Sequence, residues 1–290
     1  MSYPDGLREQ VEQYLEGLTF SDEPATAGLE EAMRYSLLAG GKRIRPVLAL
    51  ATASALGRPS EDVLPLGAAL ELIHTYSLIH DDLPAMDDDE LRRGRPTCHV
   101  KYGEDVAILA GDGLYAEAFR HLLGRQPGEP DRILAAAAEL AGATGVNGMV
   151  GGQYIDVRNL VPEGEVSLQQ LHQLKTGRLI RASVECVLLL TSGPDASTRL
   201  PDFRAFASEL GLLFQIVDDI LDVTGTEDAL GKPRGSDERH GKLTYVSHYG
   251  IDSSRRMAAD SHGNARQALD RAGGAAELQQ ITDFIYTRTS

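Results

Sequence analysis

The sequence predicts an all-α protein that forms one large helical domain. Alanine, leucine, glutamate and arginine dominate most segments, whereas the runs of alternating β-branched residues that are typical of strands are missing. Apolar residues make up 42% of the 290 residues, which is enough to form a buried core. No fixed-period repeat is evident, so we do not expect a helical solenoid.

Helices are predicted where apolar residues recur at intervals of three and four between breaks rich in Gly, Pro and Ser. Ser60 and Ser167 are each predicted to cap the N-terminus of the helix that follows. The predicted helices are Gly6–Leu18, Thr26–Ala39, Ile44–Ala55, Glu61–Asp81, Asp105–Leu123, Asp131–Ala143, Asn147–Arg158, Leu168–Leu190, Pro201–Val223, Thr244–His248, Ser253–Ala272 and Ala275–Arg288.

The predicted loops are Gly124–Pro130, Leu160–Glu165, Ser192–Leu200 and Gly225–Lys242. The first and the third contain Gly and Pro, and either of them is a possible linker between two domains. The candidate functional residues, however, extend from Gly40 to Lys242 and lie on both sides of each loop. We therefore expect a single domain over residues 1–290.

The bulk composition limits the partners of the protein. A net charge of −15 argues against nucleic acid or an anionic membrane surface as a general partner. The N-terminal residues lack the regions of a signal peptide, and the longest near-apolar stretch, Val47–Gly57, is too short to span a membrane. Two cysteines, Cys98 and Cys186, cannot build a disulfide framework, so a reducing cytoplasm is expected.

Two aspartate clusters stand in apolar helical sequence, DDLPAMDDD at Asp81–Asp89 and DDILD at Asp218–Asp222. Like charges this close repel and raise one another's pKa, so a cation is expected to offset the cost. Clusters of oxygen ligands without His or Cys suit a hard cation such as Mg²⁺, which also binds phosphate oxygens and water. An EF-hand calcium loop is excluded because the required Gly and Glu are missing at their spacing.

The surroundings of the two clusters support a metal site. Pro84 is predicted to deform the chain just past Asp82, so that Asp81 and Asp82 end a helix and the next segment returns Asp87 and Asp88. In the second cluster Asp218 and Asp222 share one helical stripe with Gln215, and Asp219 flanks it. The alternative is a solvated acidic face, but basic partners four residues away are absent within the cluster.

Basic residues accompany the clusters. Lys42, Arg43 and Arg45 lie in a turn that opens a helix, where backbone N–H groups also favour anions. Arg92 and Arg93 follow the first cluster, and His74 lies two helical turns before Asp81 on the same face. The alternatives, a basic surface turn and a structural histidine, stay open for each group taken alone.

Together these segments resemble the trans-isoprenyl diphosphate synthases, the head-to-tail prenyltransferase family. The matching motifs occur in the family's order along most of the chain, and their combination is highly specific. They are GGKRIRP (Gly40–Pro46), LIHDDLPAMDDDELRRGRPT (Leu78–Thr97), GGQYID (Gly151–Asp156), KTG (Lys175–Gly177), FQIVDDILD (Phe214–Asp222), LGK (Leu230–Lys232) and GK (Gly241–Lys242).

The resemblance implies a fold of about ten core helices around a deep central cavity, usually in a homodimer. It also implies condensation of isopentenyl diphosphate with an allylic diphosphate, with Mg²⁺ as cofactor at about three ions per active site. In this chemistry the allylic C–O bond ionises, the isopentenyl double bond attacks the cation, and a closed cavity excludes water.

The resemblance also assigns roles to individual residues. The metal ligands it implies are Asp81, Asp82, Asp87, Asp218, Asp219 and Asp222. The isopentenyl diphosphate site corresponds to Lys42, Arg45, His74 and Arg93. The allylic site corresponds to Arg92, Lys175, Thr176, Gln215, Lys232 and Lys242. Of all these residues, the ones expected to act in catalysis are Asp81, Asp82, Arg92, Lys175, Asp218 and Lys232. Because the Gly225–Lys242 loop carries two of the lysines, we expect it to close over bound substrate.

Product length is predicted from the residues before the first cluster. Tyr76 is the fifth residue before Asp81 and Ser77 the fourth, and the cluster has the expanded spacing. This combination resembles the pattern of bacterial farnesyl diphosphate synthases. An aromatic residue about 7.5 Å along the helix from Asp81 is in a position to end a chain-length pocket, although Ser77 lies closer to the Asp81 face of the helix than Tyr76 does. The alternatives are a synthase that continues to geranylgeranyl diphosphate and a Tyr76 that only packs in the core.

Other classes of protein are less compatible with these motifs. A class I terpene cyclase normally has a different second metal motif and lacks the GGKRIRP segment. A non-catalytic subunit of a heteromeric synthase typically loses aspartates, whereas both clusters are complete here. A structural helical protein with acidic faces is the remaining alternative.

Overall fold

The computed structural model describes residues 3–158, 160–161, 165–191, 193–225 and 242–288. Its architecture is all-α, as predicted. The helices are α1 (Asp5–Glu16), α2 (Ala27–Leu37), α3 (Ile44–Ala55), α4 (Leu64–Asp81), α5 (Cys98–Tyr102), α6 (Glu104–Arg125), α7 (Pro130–Thr144), α8 (Met149–Val157), α9 (Glu165–His172), α10 (Arg178–Leu190), α11 (Pro194–Thr224), α12 (Tyr245–Tyr249), α13 (Ile251–Arg271) and α14 (Ala276–Thr287). Short 3-10 helices occupy Pro24–Thr26 and Ser60–Val63, and a π-helical turn, Gln173–Gly177, joins α9 to α10.

Three helix starts differ from the prediction. Ser60 does not cap α4, because it opens a 3-10 helix and its hydroxyl donates to Gln10 Oε1 at 3.1 Å. Ser167 lies inside α9 rather than before it. The predicted loop over residues 192–200 is also wrong, since α11 begins at Pro194, where a missing N–H costs nothing in the first helical turn.

A two-stranded hairpin, β1 (Leu91–Arg92) and β2 (Arg95–Pro96), is present although no strand was predicted. Its two-residue loop, Arg93–Gly94, has positive φ at both positions, as in the turns that favour tight hairpins. Strands this short carry no alternating pattern, so the sequence gives no periodic signal for them. The hairpin holds Arg92 beside the end of α4.

Helix α4 is the central helix of the fold. It is buried on nearly all sides, and among its fully buried side chains are Leu66, Leu70 and Ile73. A helix that is apolar all round belongs in a core rather than on a surface. Because α4 runs through the core, its C-terminal residues Tyr76–Asp81 emerge at an internal cavity.

The turn before α3 is fixed from inside the protein. Arg43 adopts a left-handed conformation with φ of 52°, and its guanidinium is buried. It donates to Glu71 Oε1 at 2.6 Å, to Glu12 Oε1 at 2.8 Å and to the Leu37 carbonyl at 2.8 Å. Arg43 thus binds carboxylates of the protein itself rather than a substrate anion, and it anchors the turn that carries Lys42 and Arg45.

Val47–Gly57 is not the longest apolar stretch, since Pro130–Val157 has the length and composition of a membrane-spanning segment. In the structure a turn at residues 145–148 divides it into α7 and α8. Helix α7 has 15 residues and is about 22 Å long, whereas a bilayer core is about 30 Å thick. Neither helix alone is long enough to cross a membrane.

Candidate active site

A cavity of about 600 Å³ opens between α4, α8, the π-helical turn and α11. Most of the residues selected from the sequence line it, although they come from distant parts of the chain. The predicted residues that line it are Arg45, His74, Tyr76, Ser77, Asp81, Arg92, Arg93, Lys175, Thr176, Gln215 and Asp218. The structure thus brings both aspartate clusters and the basic residues to one site.

Asp81 ends α4 at the wall of this cavity. The backbone N–H of Asp87 donates to the Asp81 carbonyl at 2.9 Å, so the segment after Pro84 folds back as predicted. Burial raises the pKa of Asp81 to about 6, with Asp87 adding to the rise and Lys175 opposing it. A cation beside this carboxyl group would favour its charged form.

Asp82 is held by a single arginine. Arg92 donates from Nε and Nη2 to the Asp82 carboxylate at 2.6 to 2.9 Å, and Asp82 is buried. This bidentate geometry is the strong form of the Arg–carboxylate pair. Asp82 does not line the cavity, so it acts on the site through Arg92, which does.

The second cluster divides in the same way. Asp218 lines the cavity and accepts a hydrogen bond from Arg288 Nη2 at 3.1 Å. Asp219 is buried and accepts from Gln215 Nε2 and from the backbone N–H of Tyr245, both at 2.7 Å. Asp222 is also buried, one turn further along α11. Asp219 therefore orients Gln215 and fixes the start of α12.

Two lysines reach the site from different directions. Lys175 Nζ donates to Asp156 Oδ2 at 2.6 Å, and Lys242 Nζ donates to Asp87 Oδ2 at 2.7 Å. Beside Lys175, the Thr176 hydroxyl donates to Gln215 Oε1 at 3.1 Å. The Lys175 and Thr176 contacts connect α8, the π-helical turn and α11 at the wall of the cavity.

Gly152 explains how the π-helical turn approaches α8 so closely. A β-carbon at this position would lie 2.6 Å from the Lys175 Cα, closer than real contacts allow. Only glycine lets the two backbones meet there. The GGQYID motif carries no sequence signal for this close approach or for the contact of Asp156 with Lys175.

Three of the predicted isopentenyl diphosphate residues, Arg45, His74 and Arg93, line the same cavity. Burial, reinforced by the charges of Arg45 and Arg93, lowers the pKa of His74 well below its ordinary value, so the imidazole is neutral. The Arg93 guanidinium lies against Gly41 and donates to the Gly40 carbonyl. Lys42 is placed apart from the cavity lining, with its Nζ 5.2 Å from the centre of the Phe284 ring.

The carboxylates at the cavity can supply only part of the coordination of a Mg²⁺ ion. Within the described ranges, no three His, Cys, Asp or Glu side chains come close enough together to enclose an ion by themselves. Mg²⁺ usually takes one or two carboxylates and completes its coordination with phosphate oxygens and water. Asp81 and Asp218, which both line the cavity, fit that arrangement.

Two predictions cannot be placed. Lys232 and most of the Gly225–Lys242 loop lie outside the described residues. Arg288, by contrast, was not predicted, because a residue near the C-terminus carries no local signal for contact with Asp218.

Comparison with known proteins places the chain in a family. A model of the family described as polyprenyl synthetase matches residues 26–281. The chain belongs to the polyprenyl synthetase family. Membership confirms the prediction of a prenyltransferase, and hence of a transferase enzyme, and it argues against a purely structural helical protein.

Individual relatives agree with this assignment. Farnesyl diphosphate synthase of Escherichia coli (strain K12) is 42% identical over 306 aligned residues, which cover 99% of both chains. The chloroplastic geranylgeranyl pyrophosphate synthase of Capsicum annuum is 46% identical over 90% of this chain and 71% of that protein. A Helicobacter pylori geranyltransferase, crystallised with magnesium and isoprenyl diphosphate, is 32% identical with a TM-score of 0.84 and covers 100% and 98% of the two chains. The predicted isoprenoid synthase fold is confirmed.

Proposed function

We propose that this chain is a Mg²⁺-dependent farnesyl diphosphate synthase. It joins isopentenyl diphosphate to dimethylallyl and then to geranyl diphosphate. The observation that supports this function best is one cavity that carries an aspartate from each cluster, several Arg and Lys side chains and, five residues before Asp81 on α4, the ring of Tyr76. Farnesyl diphosphate synthase activity in a relative of 42% identity agrees with it.

The proposed roles combine the positions of the residues that line the cavity with the roles that the family motifs imply. Arg45, His74, Arg93 and Lys42 bind isopentenyl diphosphate, and Arg92, Lys175, Lys232 and Lys242 bind the allylic diphosphate. When bound, about three Mg²⁺ ions held by Asp81, Asp87, Asp218 and Asp222 supply positive charge to the leaving diphosphate. The sequence also assigned Asp82 and Asp219 to the metal; because their oxygens bind Arg92 and Gln215, we propose that they orient those side chains instead.

The protein side chains prepare the cavity for a carbocation. Lys175 and Arg92 stabilise negative charge that develops on the diphosphate oxygen as the C–O bond breaks. The hydroxyl of Thr176 and the amide of Gln215 are held against each other and offer oxygen lone pairs beside the reacting carbons. Apolar side chains of Met149 and Val150 on α8 line the part of the cavity that would receive the hydrocarbon tail and exclude water.

Tyr76 is the proposed end of the chain-length pocket. It lies on α4 about 7.5 Å from Asp81, at about 1.5 Å per residue, and it lines the cavity together with Ser77. The second candidate is a geranylgeranyl diphosphate synthase, which the 46% identity to the Capsicum annuum protein favours.

We further propose a cytoplasmic homodimer of single-domain subunits. One apolar core with members from Tyr3 to Ile285 supports the single domain. Exposed apolar side chains on α6, including Ile108 and Leu109, support the dimer, because such surfaces commonly mark an interface.

The test of the proposed function is diphosphate release. Purified protein is incubated with isopentenyl and dimethylallyl diphosphates, with Mg²⁺ or with excess chelator. We expect diphosphate release that requires both substrates and Mg²⁺. Release from dimethylallyl diphosphate alone at the same rate would indicate hydrolysis rather than condensation.

A further inference from the structure

Tyr76 is supported by a row of aromatic rings. Its ring on α4 meets the ring of Tyr115 on α6 edge to face, with centroids 5.1 Å apart and planes at 80°. Behind Tyr115, one turn further along α6, the Phe119 ring lies 5.3 Å away at 63°. The row therefore leads from the cavity wall into the space between α4 and α6.

Only the first ring of this row lines the cavity. Tyr76 is among the lining residues, whereas Tyr115 stands behind it. The Tyr115 hydroxyl lies 3.4 Å from Thr144 Oγ1 at the end of α7, so this ring is tied to a third helix. A growing hydrocarbon chain would contact the Tyr76 ring on its cavity side, and the Tyr115 ring contacts Tyr76 on the opposite side.

A second contact restricts Tyr76 from the side. The His80 ring, one turn further along α4, lies 5.6 Å from the Tyr76 ring at 82°. His80 itself is confined, because a β-carbon at Gly111 would overlap its imidazole and its Nε2 lies 3.1 Å from the Ile108 carbonyl. Helix α6 thus approaches α4 closely on both sides of the floor ring.

We propose that Tyr115 is a specificity-determining positioning residue that holds Tyr76 in the conformation that ends the pocket. This inference rests on the proposed role of Tyr76. A floor ring limits chain growth only if it cannot move when the next five-carbon unit enters. Protein interiors are close-packed, so the Tyr115 ring occupies the space into which Tyr76 would move. Removing it leaves a void that Tyr76 fills by changing its rotamer, and the pocket deepens.

The test compares product lengths of four variants, one of them Tyr76→Ala, with that of the unaltered protein, using isopentenyl and dimethylallyl diphosphates. Tyr115→Ala removes the ring, and Tyr115→Phe keeps it without the hydroxyl. Leu122→Ala makes a void in the same helix, seven residues from Tyr115, at a fully buried site. We expect Tyr115→Ala to raise the ratio of the next longer product to the original product about tenfold or more. Tyr115→Phe and Leu122→Ala retain the original product.

Each contrary outcome has a separate meaning. If Tyr115→Ala leaves product length unchanged while Tyr76→Ala lengthens it, Tyr76 ends the pocket but the proposed role of Tyr115 is wrong. If Tyr76→Ala also leaves product length unchanged, Tyr76 does not end the pocket and both proposed roles are wrong. If Tyr115→Phe lengthens the product as much as Tyr115→Ala does, the Tyr115 ring is not what supports Tyr76. Should Tyr115→Ala fail to fold, Tyr115→Leu replaces it and is read in the same way.

Discussion

Arg288, near the C-terminus, donates a hydrogen bond from Nη2 to Asp218 Oδ1 at 3.1 Å. Its guanidinium also lies 4.9 Å from the centre of the Phe214 ring, one turn before Asp218 on α11. The end of α14 is thereby attached to the second aspartate cluster. A cation of the protein and a metal ion would compete for the same carboxylate.

We expect Arg288→Gln to tighten Mg²⁺ binding in the absence of substrate. The Asp218 side chain is 41% exposed, so the pair is partly screened and the gain is limited to about two- to fivefold. The measurement is the Mg²⁺ concentration dependence of the unfolding temperature. Arg256→Gln, an equal change of charge on the exposed face of α13, is the control and should leave the dependence unaltered. Unchanged or weaker Mg²⁺ binding in Arg288→Gln would refute the competition.

Asp81→Ala and Asp218→Ala are each expected to abolish turnover without unfolding the protein. Removing a ligand of the metal withdraws the positive charge that the leaving diphosphate needs, and we expect a loss of about 10³-fold or more. Steady-state turnover and thermal unfolding are measured together. Asp260→Ala, on the exposed face of α13, is the matched control. Near-normal turnover in either site variant would contradict the assignment of these residues to the metal.

Gly152→Ala is expected to damage activity more than stability. The added β-carbon pushes the backbone at Lys175, and a displacement of about 1 Å at such a residue can cost about 10²-fold in rate. Gly142→Ala in α7 is the control, because a β-carbon there meets nothing within 4 Å. Equal turnover in the two variants would show that the close approach of α8 does not position Lys175.

Tyr76→Ala is expected to lengthen the product by at least one five-carbon unit. Removing the ring opens the cavity toward Tyr115, and each further buried methylene of the chain gains about 0.8 kcal/mol. Chromatography of the reaction products checks this. If the product distribution stays the same, Tyr76 only packs in the core and another side chain ends the pocket.

Glu71→Met is expected to destabilise the protein by about 3 kcal/mol or more. The change leaves the buried guanidinium of Arg43 without its closest carboxylate, and breaking one partner of a buried ion pair typically costs about 3 to 5 kcal/mol. Urea unfolding gives the difference. Glu12→Met removes the other partner, which is more exposed, and should cost less. A larger loss in Glu12→Met would reverse this ranking of the two contacts.

Much of the fold was predictable because the helices carry their own signal. The apolar spacing of α3 and α4 and the break at Pro84 located the first cluster at a helix end, and the return of Asp87 followed from that break. The start of α11 at Pro194 was missed because Pro201 also resembles a helix start, yet it lies inside the helix. The hairpin that carries Arg92 is too short to produce any pattern.

The site was predictable only as a set of residues. Sequence motifs selected the side chains that line the cavity, but they did not show how each side chain is used. That Asp82 pairs with Arg92, and Asp219 with Gln215, depends on backbone directions that spacing along one helix does not fix. The sequence shows Arg43 only as one cation of a basic turn, whereas its buried side chain binds Glu71 and Glu12 inside the protein. Arg288 and Tyr115 meet their partners only through the tertiary fold.

The most direct test of the central proposal is the chain length of the product that the unaltered enzyme makes. Purified protein is incubated with Mg²⁺, dimethylallyl diphosphate and an excess of isopentenyl diphosphate, and the products are dephosphorylated and separated by chromatography. We predict farnesol, with fifteen carbons, as the main product. Geranylgeraniol, with twenty carbons, as the main product would contradict the farnesyl assignment, and no condensation product at all would contradict the proposed reaction.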